Sequence, residues 1–86
     1  MKTYNGHRSW NSWNISLWIS NEEPLYRFAL DCIAKIQYLP PTRRAKRGLR
    51  YATNLFMNDM GGTKTPDGAI YNHLSVKLAL QCLMED

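Results

Sequence analysis

The sequence predicts a small all-α domain: about four short helices forming one single-domain bundle over residues 1–86, with an irregular N-terminal segment at about 1–9. Three observations predict it. Apolar residues recur at spacings of three and four along most of the chain, the period of a helix rather than a strand. Each periodic stretch is bounded by a capping residue, a proline or a glycine. The 86 residues suffice for one small core, with no Pro/Gly/Ser-rich linker to divide it.

In the opening segment Asn5-Gly6 is a turn signal. The first helix runs from about Asn11 to Ser20, with Ser9, Asn11 or Ser12 as its cap. Trp13, Leu17 and Trp18 are its candidate apolar face, with Trp10 just before it. The run Ile15-Ser16-Leu17-Trp18-Ile19 also alternates as a strand would, and the length and capping residues favour the helix. Ser9-Trp10-Asn11 and Ser12-Trp13-Asn14 form a repeat at three residues, too short to be an architectural unit.

The second helix starts at Asn21-Glu22-Glu23-Pro24. Asn21 is the expected cap, the glutamates complement the positive end of the helix dipole, and proline is tolerated in a first turn. Leu25, Phe28, Ala29, Cys32, Ile33 and Ile36 form one buried stripe, and Pro40-Pro41 ends it. Thr42 is the expected cap of a third helix, whose apolar positions are Ala45, Leu49, Ala52, Leu55, Phe56 and Met60. Gly61-Gly62 closes it, one glycine taking the left-handed conformation. Gly48, inside it, marks a close helix contact or a weak point. Thr65-Pro66-Asp67-Gly68 reads as a type I turn. Asn72 is the candidate cap of the last helix, with Leu74, Leu78 and Cys82, flanked by Val76, Ala79 and Leu83, as its apolar face.

Charge is unevenly distributed. Eleven Lys and Arg stand against seven Asp and Glu, a formal net charge of +4. Arg43, Arg44, Lys46, Arg47 and Arg50 lie within eight residues with no acid among them. The remainder of the chain is nearly neutral. At about 100° per residue, Arg43, Arg47 and Arg50 fall close together on the third helix, with Lys46 on their shoulder. A patch of planar guanidiniums suits phosphate or carboxylate partners, and a solvated face is the competing reading. Trp10, Trp13 and Trp18 are expected in the core, since a small domain needs their area. Trp10, at the helix edge, is the one expected to stay partly exposed and available to a partner.

Several chemistries are excluded. Histidines occur only at His7 and His73, and there is no Cys-x-x-Cys, His-Glu-x-x-His or calcium loop, so no metal and no cofactor are expected. Gly61-Gly62-Thr63-Lys64-Thr65 lacks the glycine spacing and preceding strand of a phosphate loop. Asp59, Asp67, His73, Ser75 and Cys82 show no spacing that would assemble a catalytic set, and no enzyme is expected. Cys32 and Cys82 both read as small buried hydrophobes in a reducing cytoplasm. The absence of a signal-like apolar region or a membrane-length run points to a protein of the cytoplasm.

Tyr4-Asn5-Gly6, Trp13-Asn14, Leu17-Trp18-Ile19, Asn21-Glu22 and Leu25-Tyr26 resemble the opening of a family of small proteins from tailed phages and mobile elements. Thr65-Pro66-Asp67-Gly68 and the segment from Tyr71 to Leu83 resemble its close. The likeness omits the basic segment, and the family offers no catalytic residues to transfer. It implies a setting in a host bacterial cytoplasm and a protein that acts by binding. Many such proteins block bacterial defence, as anti-CRISPR proteins do. Two functions are therefore expected. One is an inhibitor that occupies a host defence complex, such as a CRISPR effector, through Arg43, Arg44, Lys46, Arg47, Arg50 and Trp10. The other is a nucleic-acid-binding accessory protein using the same patch on phosphates, as a monomer or homodimer with no membrane partner.

Overall fold

Ser9 begins the first helix by the chemistry expected of a cap. Its backbone is extended and its hydroxyl accepts from the Ser12 N–H, opening α1 (Trp10–Asn21). The computed structural model describes residues 9–85, and within the third helix the side chains of residues 44–46 lie outside the description. The expected turn at Asn5-Gly6 and the irregular segment at 1–8 lie outside the described residues. The other elements are α2 (Glu23–Ala34), a 3-10 turn over Lys35–Tyr38, α3 (Pro41–Met60) and α4 (His73–Glu85). The domain is all-α, as the periodicity predicts.

Two cap assignments differ from the sequence reading. Asn21 is the last residue of α1, and Glu22 alone separates it from α2. The Glu22 N–H donates to Trp18 O at 2.9 Å and its carbonyl accepts from Tyr26 N–H at 2.9 Å, so one extended residue ends one helix and begins the next. Thr42 lies inside α3, whose cap is Pro40, with Pro41 in the first position. Proline presets the helical φ there, and its missing N–H is one that helix entry leaves unpaired anyway. At the far end Gly61 keeps a negative φ, and Gly62 takes the left-handed value of +82°.

The core gathers Ile15 and Ile19 of α1, Ala29 and Cys32 of α2, Ala52 and Phe56 of α3, and Val76, Ala79 and Leu80 of α4. Phe56 is fully buried, 5.0 Å from the Phe28 ring and 6.1 Å from the Tyr71 ring between centroids. The stripes expected for α2 and α3 are the ones used, apart from Ala45, whose side chain is not described. Those for α1 and α4 are rotated. Leu17 is exposed, Trp13 and Trp18 are half-buried, and the buried residues of α1 are Ser12, Asn14, Ile15 and Ile19. The tryptophans therefore rim the core rather than fill it. On α4, Leu74 and Cys82 face solvent, and Leu80, absent from the expected face, is buried. Cys32 is buried as expected, and desolvation pushes its thiol up.

Gly48 is a close approach. A Cβ built there would lie 2.8 Å from Ile36 Cγ2 on the 3-10 turn. Glycine lets α3 press against that turn.

Residues 62–71 form a tight antiparallel loop, paired at a single bridge between Lys64 and Ile70. Thr65 N–H donates to Ala69 O at 2.8 Å and Tyr71 N–H to Thr63 O at 3.0 Å. The predicted turn is there: Gly68 N–H donates to Thr65 O at 2.9 Å, with Gly68 at a φ of +98°. The loop inserts Ala69 and Tyr71 into the core. Burial, and secondarily the Glu22 carboxylate, push the Tyr71 phenol up.

Two asparagines of α1 clamp this loop. Asn14, 1 % exposed, donates from Nδ2 to Asp67 Oδ2 at 2.9 Å and accepts from Thr65 Oγ1 at 2.7 Å. Thr65 Oγ1 in turn accepts from Ala69 N–H at 3.0 Å, and Trp18 Nε1 donates to the same Asp67 oxygen at 2.9 Å. Asn11 takes both backbone groups of Ile70: its Nδ2 donates to the carbonyl at 2.9 Å and its Oδ1 accepts from the N–H at 2.8 Å. The same Nδ2 donates to Ser75 Oγ at 2.8 Å on α4. The two asparagines of the three-residue repeat reach the same loop because residues i and i+3 share a helix face. Asn72 then caps α4 as predicted, accepting from Ser75 N–H at 2.9 Å.

Three outcomes follow. Asn14→Ala leaves the Thr65 hydroxyl without its acceptor and Asp67 without one donor. Chemical denaturation is expected to show a loss of about 2–3 kcal/mol. The two hydrogen bonds, that from Asn14 first, hold the Asp67 carboxyl below its ordinary value of 3.8. This contribution is complete above the unfolded carboxyl range and is lost as pH falls through the lower folded value. The melting temperature should therefore drop on acidification below about pH 4 by more in the native chain than in Asp67→Asn. Gly48→Ala gains helix propensity but overpacks Ile36, a net loss of about 1 kcal/mol. In an Ile36→Ala background the same change should stabilise, which a double-mutant cycle reads directly.

Candidate functional site

The spacing of the basic run places its arginines as expected. Arg43, Arg47 and Arg50 are exposed and line one open cleft of about 360 Å³, together with Leu39, Tyr51 and Asn54. Leu39 follows the 3-10 turn, so the cleft lies in the angle between that turn and α3. The Arg44 and Lys46 side chains lie outside the described residues. Trp10 is 39 % exposed, matching the expectation of partial exposure, but lines neither this cleft nor the next.

A second cleft, also of about 360 Å³, runs between α3 and α4. It is lined by Arg50, Thr53, His73, Leu74 and Lys77. Arg50 belongs to both. Thr53 is buried and donates from Oγ1 to Leu49 O at 2.8 Å. Leu74 is 52 % exposed and gives the cleft an apolar wall. The sequence reading missed Tyr51, Asn54, His73 and Lys77 as parts of a site. His73 and Lys77 are more than twenty residues from the arginines, and only the packing of α4 on α3 brings them there. Tyr51 carried a usable signal: it directly follows Arg50.

The electrostatics of this face are one-sided. Among the described residues the one acid–base ion pair is Arg27 with Glu23, 2.7 Å apart and exposed on α2. A pair of that kind stabilises by about 0.3–0.5 kcal/mol. Among the described residues no acidic side chain lines either cleft. The first turn of α3 also contains no acid, and Arg43 sits there, at the positive end of the helix dipole. A cation in that position is disfavoured by about 0.3–1 kcal/mol in the absence of an anion. The local rule for charging a helix is thus broken where the cleft opens, as rules commonly are at binding sites.

Among the described residues no three His, Cys, Asp or Glu side chains gather to hold a metal ion. None of the described helices is long and apolar enough to cross a membrane. No curated protein and no solved structure matches the chain. A model of the family of unknown function DUF7249 matches residues 1–86, and the chain belongs to that family.

Proposed function

We propose that this protein is a non-enzymatic nucleic-acid-binding protein that docks through the basic face of α3. The observation that carries the reading is the set of exposed arginines, Arg43, Arg47 and Arg50, sharing one cleft with no acidic partner among the described residues. Guanidiniums in that arrangement offer forked hydrogen bonds to successive phosphates. A phosphate chain also brings negative charge to the N-terminal end of α3, relieving the unfavourable placement of Arg43. A largely neutral remainder focuses the field on this face, which speeds encounter with a polyanion.

The triple change Arg43→Gln, Arg47→Gln, Arg50→Gln tests it, with circular dichroism confirming that the helical signal is retained. The expected result is a loss of affinity for a labelled oligonucleotide of at least tenfold at low salt. The slope of log affinity against log salt should also flatten by about 2–3, one for each phosphate contact removed. Equal binding by the native and triple-substituted chains overturns the reading. Recovery from a bacterial extract of one protein complex that survives nuclease treatment overturns it too, and favours the inhibitor of a host defence complex.

A further inference from the structure

We propose that the two clefts form one continuous track for single-stranded nucleic acid, with Tyr51 as a base-stacking surface and Lys77 as a further phosphate contact. This rests on the nucleic-acid reading above and specifies its ligand. Continuity comes from Arg50, which lines both clefts. From Arg43 to Arg50 the helical rise covers about 10 Å, and the α3–α4 cleft extends the path past His73 to Lys77.

Shape argues for a single strand. The arginines line clefts shared with neighbouring elements. Leu39, beyond the 3-10 turn, flanks them on one side, and His73, Leu74 and Lys77 of α4 flank Arg50 on the other. A duplex major groove, about 12 Å wide, is read by an element that projects into it. A flexible strand can instead follow the shallow path from Arg43 to Lys77. The lining argues the same way. Phosphates alone need only cations, yet Tyr51, Leu39 and Leu74 add aromatic and apolar surface beside them. Unstacked bases use such surface, and Asn54 in the same cleft carries both a donor and an acceptor for a base edge. Tyr38, 75 % exposed, adds a further ring immediately before Leu39.

The test measures fluorescence anisotropy with a labelled twelve-nucleotide thymidine strand, a twelve-base-pair duplex, and inorganic polyphosphate as competitor. The expected result is at least tenfold preference for the single strand over the duplex. Tyr51→Ala should weaken single-strand binding by about tenfold, Tyr51→Phe should retain it, and competition by polyphosphate should be unchanged in both. Lys77→Gln, at an exposed position, should flatten the salt slope by about 0.7, the increment for one phosphate of a single strand. Equal affinity for strand and duplex, with no effect of Tyr51→Ala, overturns the single-strand track while leaving the electrostatic reading standing. No binding to any of the three probes overturns both.

Discussion

The buried side-chain amide of Asn14 is the constraint on which the rest of the molecule depends. Burying it is costly unless its polar atoms are satisfied, and its recorded partners, Thr65 Oγ1 and Asp67 Oδ2, both come from the 62–71 loop. The loop is therefore held in one register against α1. That register inserts Ala69 and Tyr71 into the core beside Phe56 and delivers Asn72 to the start of α4. Asn11 repeats the device one helical turn earlier, pairing Ile70 as a neighbouring strand would and reaching Ser75. With both ends of the connection fixed, α4 packs on α3 in the orientation that sets His73 and Lys77 beside Arg50. The polar clamp thus helps to position the charged face through α4.

Much of this was legible in the sequence because it follows from period and from turn chemistry. The α2 and α3 stripes and the shared face of Arg43, Arg47 and Arg50 follow from spacing, and the turn at Thr65-Pro66-Asp67-Gly68 and the Asn72 cap follow from residue type. The rest depends on tertiary partners. In α1 an apolar ranking favours tryptophan, yet Trp18 uses its indole N–H on Asp67 and stays at the rim, while Ser12 and Asn14 go inside. No hydrophobic pattern announces a buried asparagine. In α4 the leucines offer two competing faces. The Asn11 contact to Ser75 fixes the rotation that buries Val76, Ala79 and Leu80 and leaves Leu74 outside. Capping preference points to Thr42 for α3 because a threonine hydroxyl outranks proline. A proline pair sets the entry by backbone geometry instead.

Asn14, Trp18, Thr65 and Asp67 are clamp residues. Their hydrogen bonds hold the 62–71 loop against α1. Arg43, Arg47 and Arg50 are exposed and take no part in the core. The two sets of residues do separate physical work. One satisfies buried polar groups and fixes topology. The other leaves cations unpaired and exposed, a choice with no folding benefit at the start of α3, where the helix dipole disfavours them.

The central claim is that this face, and not the tryptophan rim, receives a phosphate chain. Backbone amide chemical-shift mapping with a short oligonucleotide at low salt tests it most directly. The account predicts perturbations concentrated at Arg43, Arg47, Arg50, Tyr51, Asn54 and Lys77, fading as salt is added. Perturbations centred on Trp10, Leu17 and α2, or none at all, would contradict it.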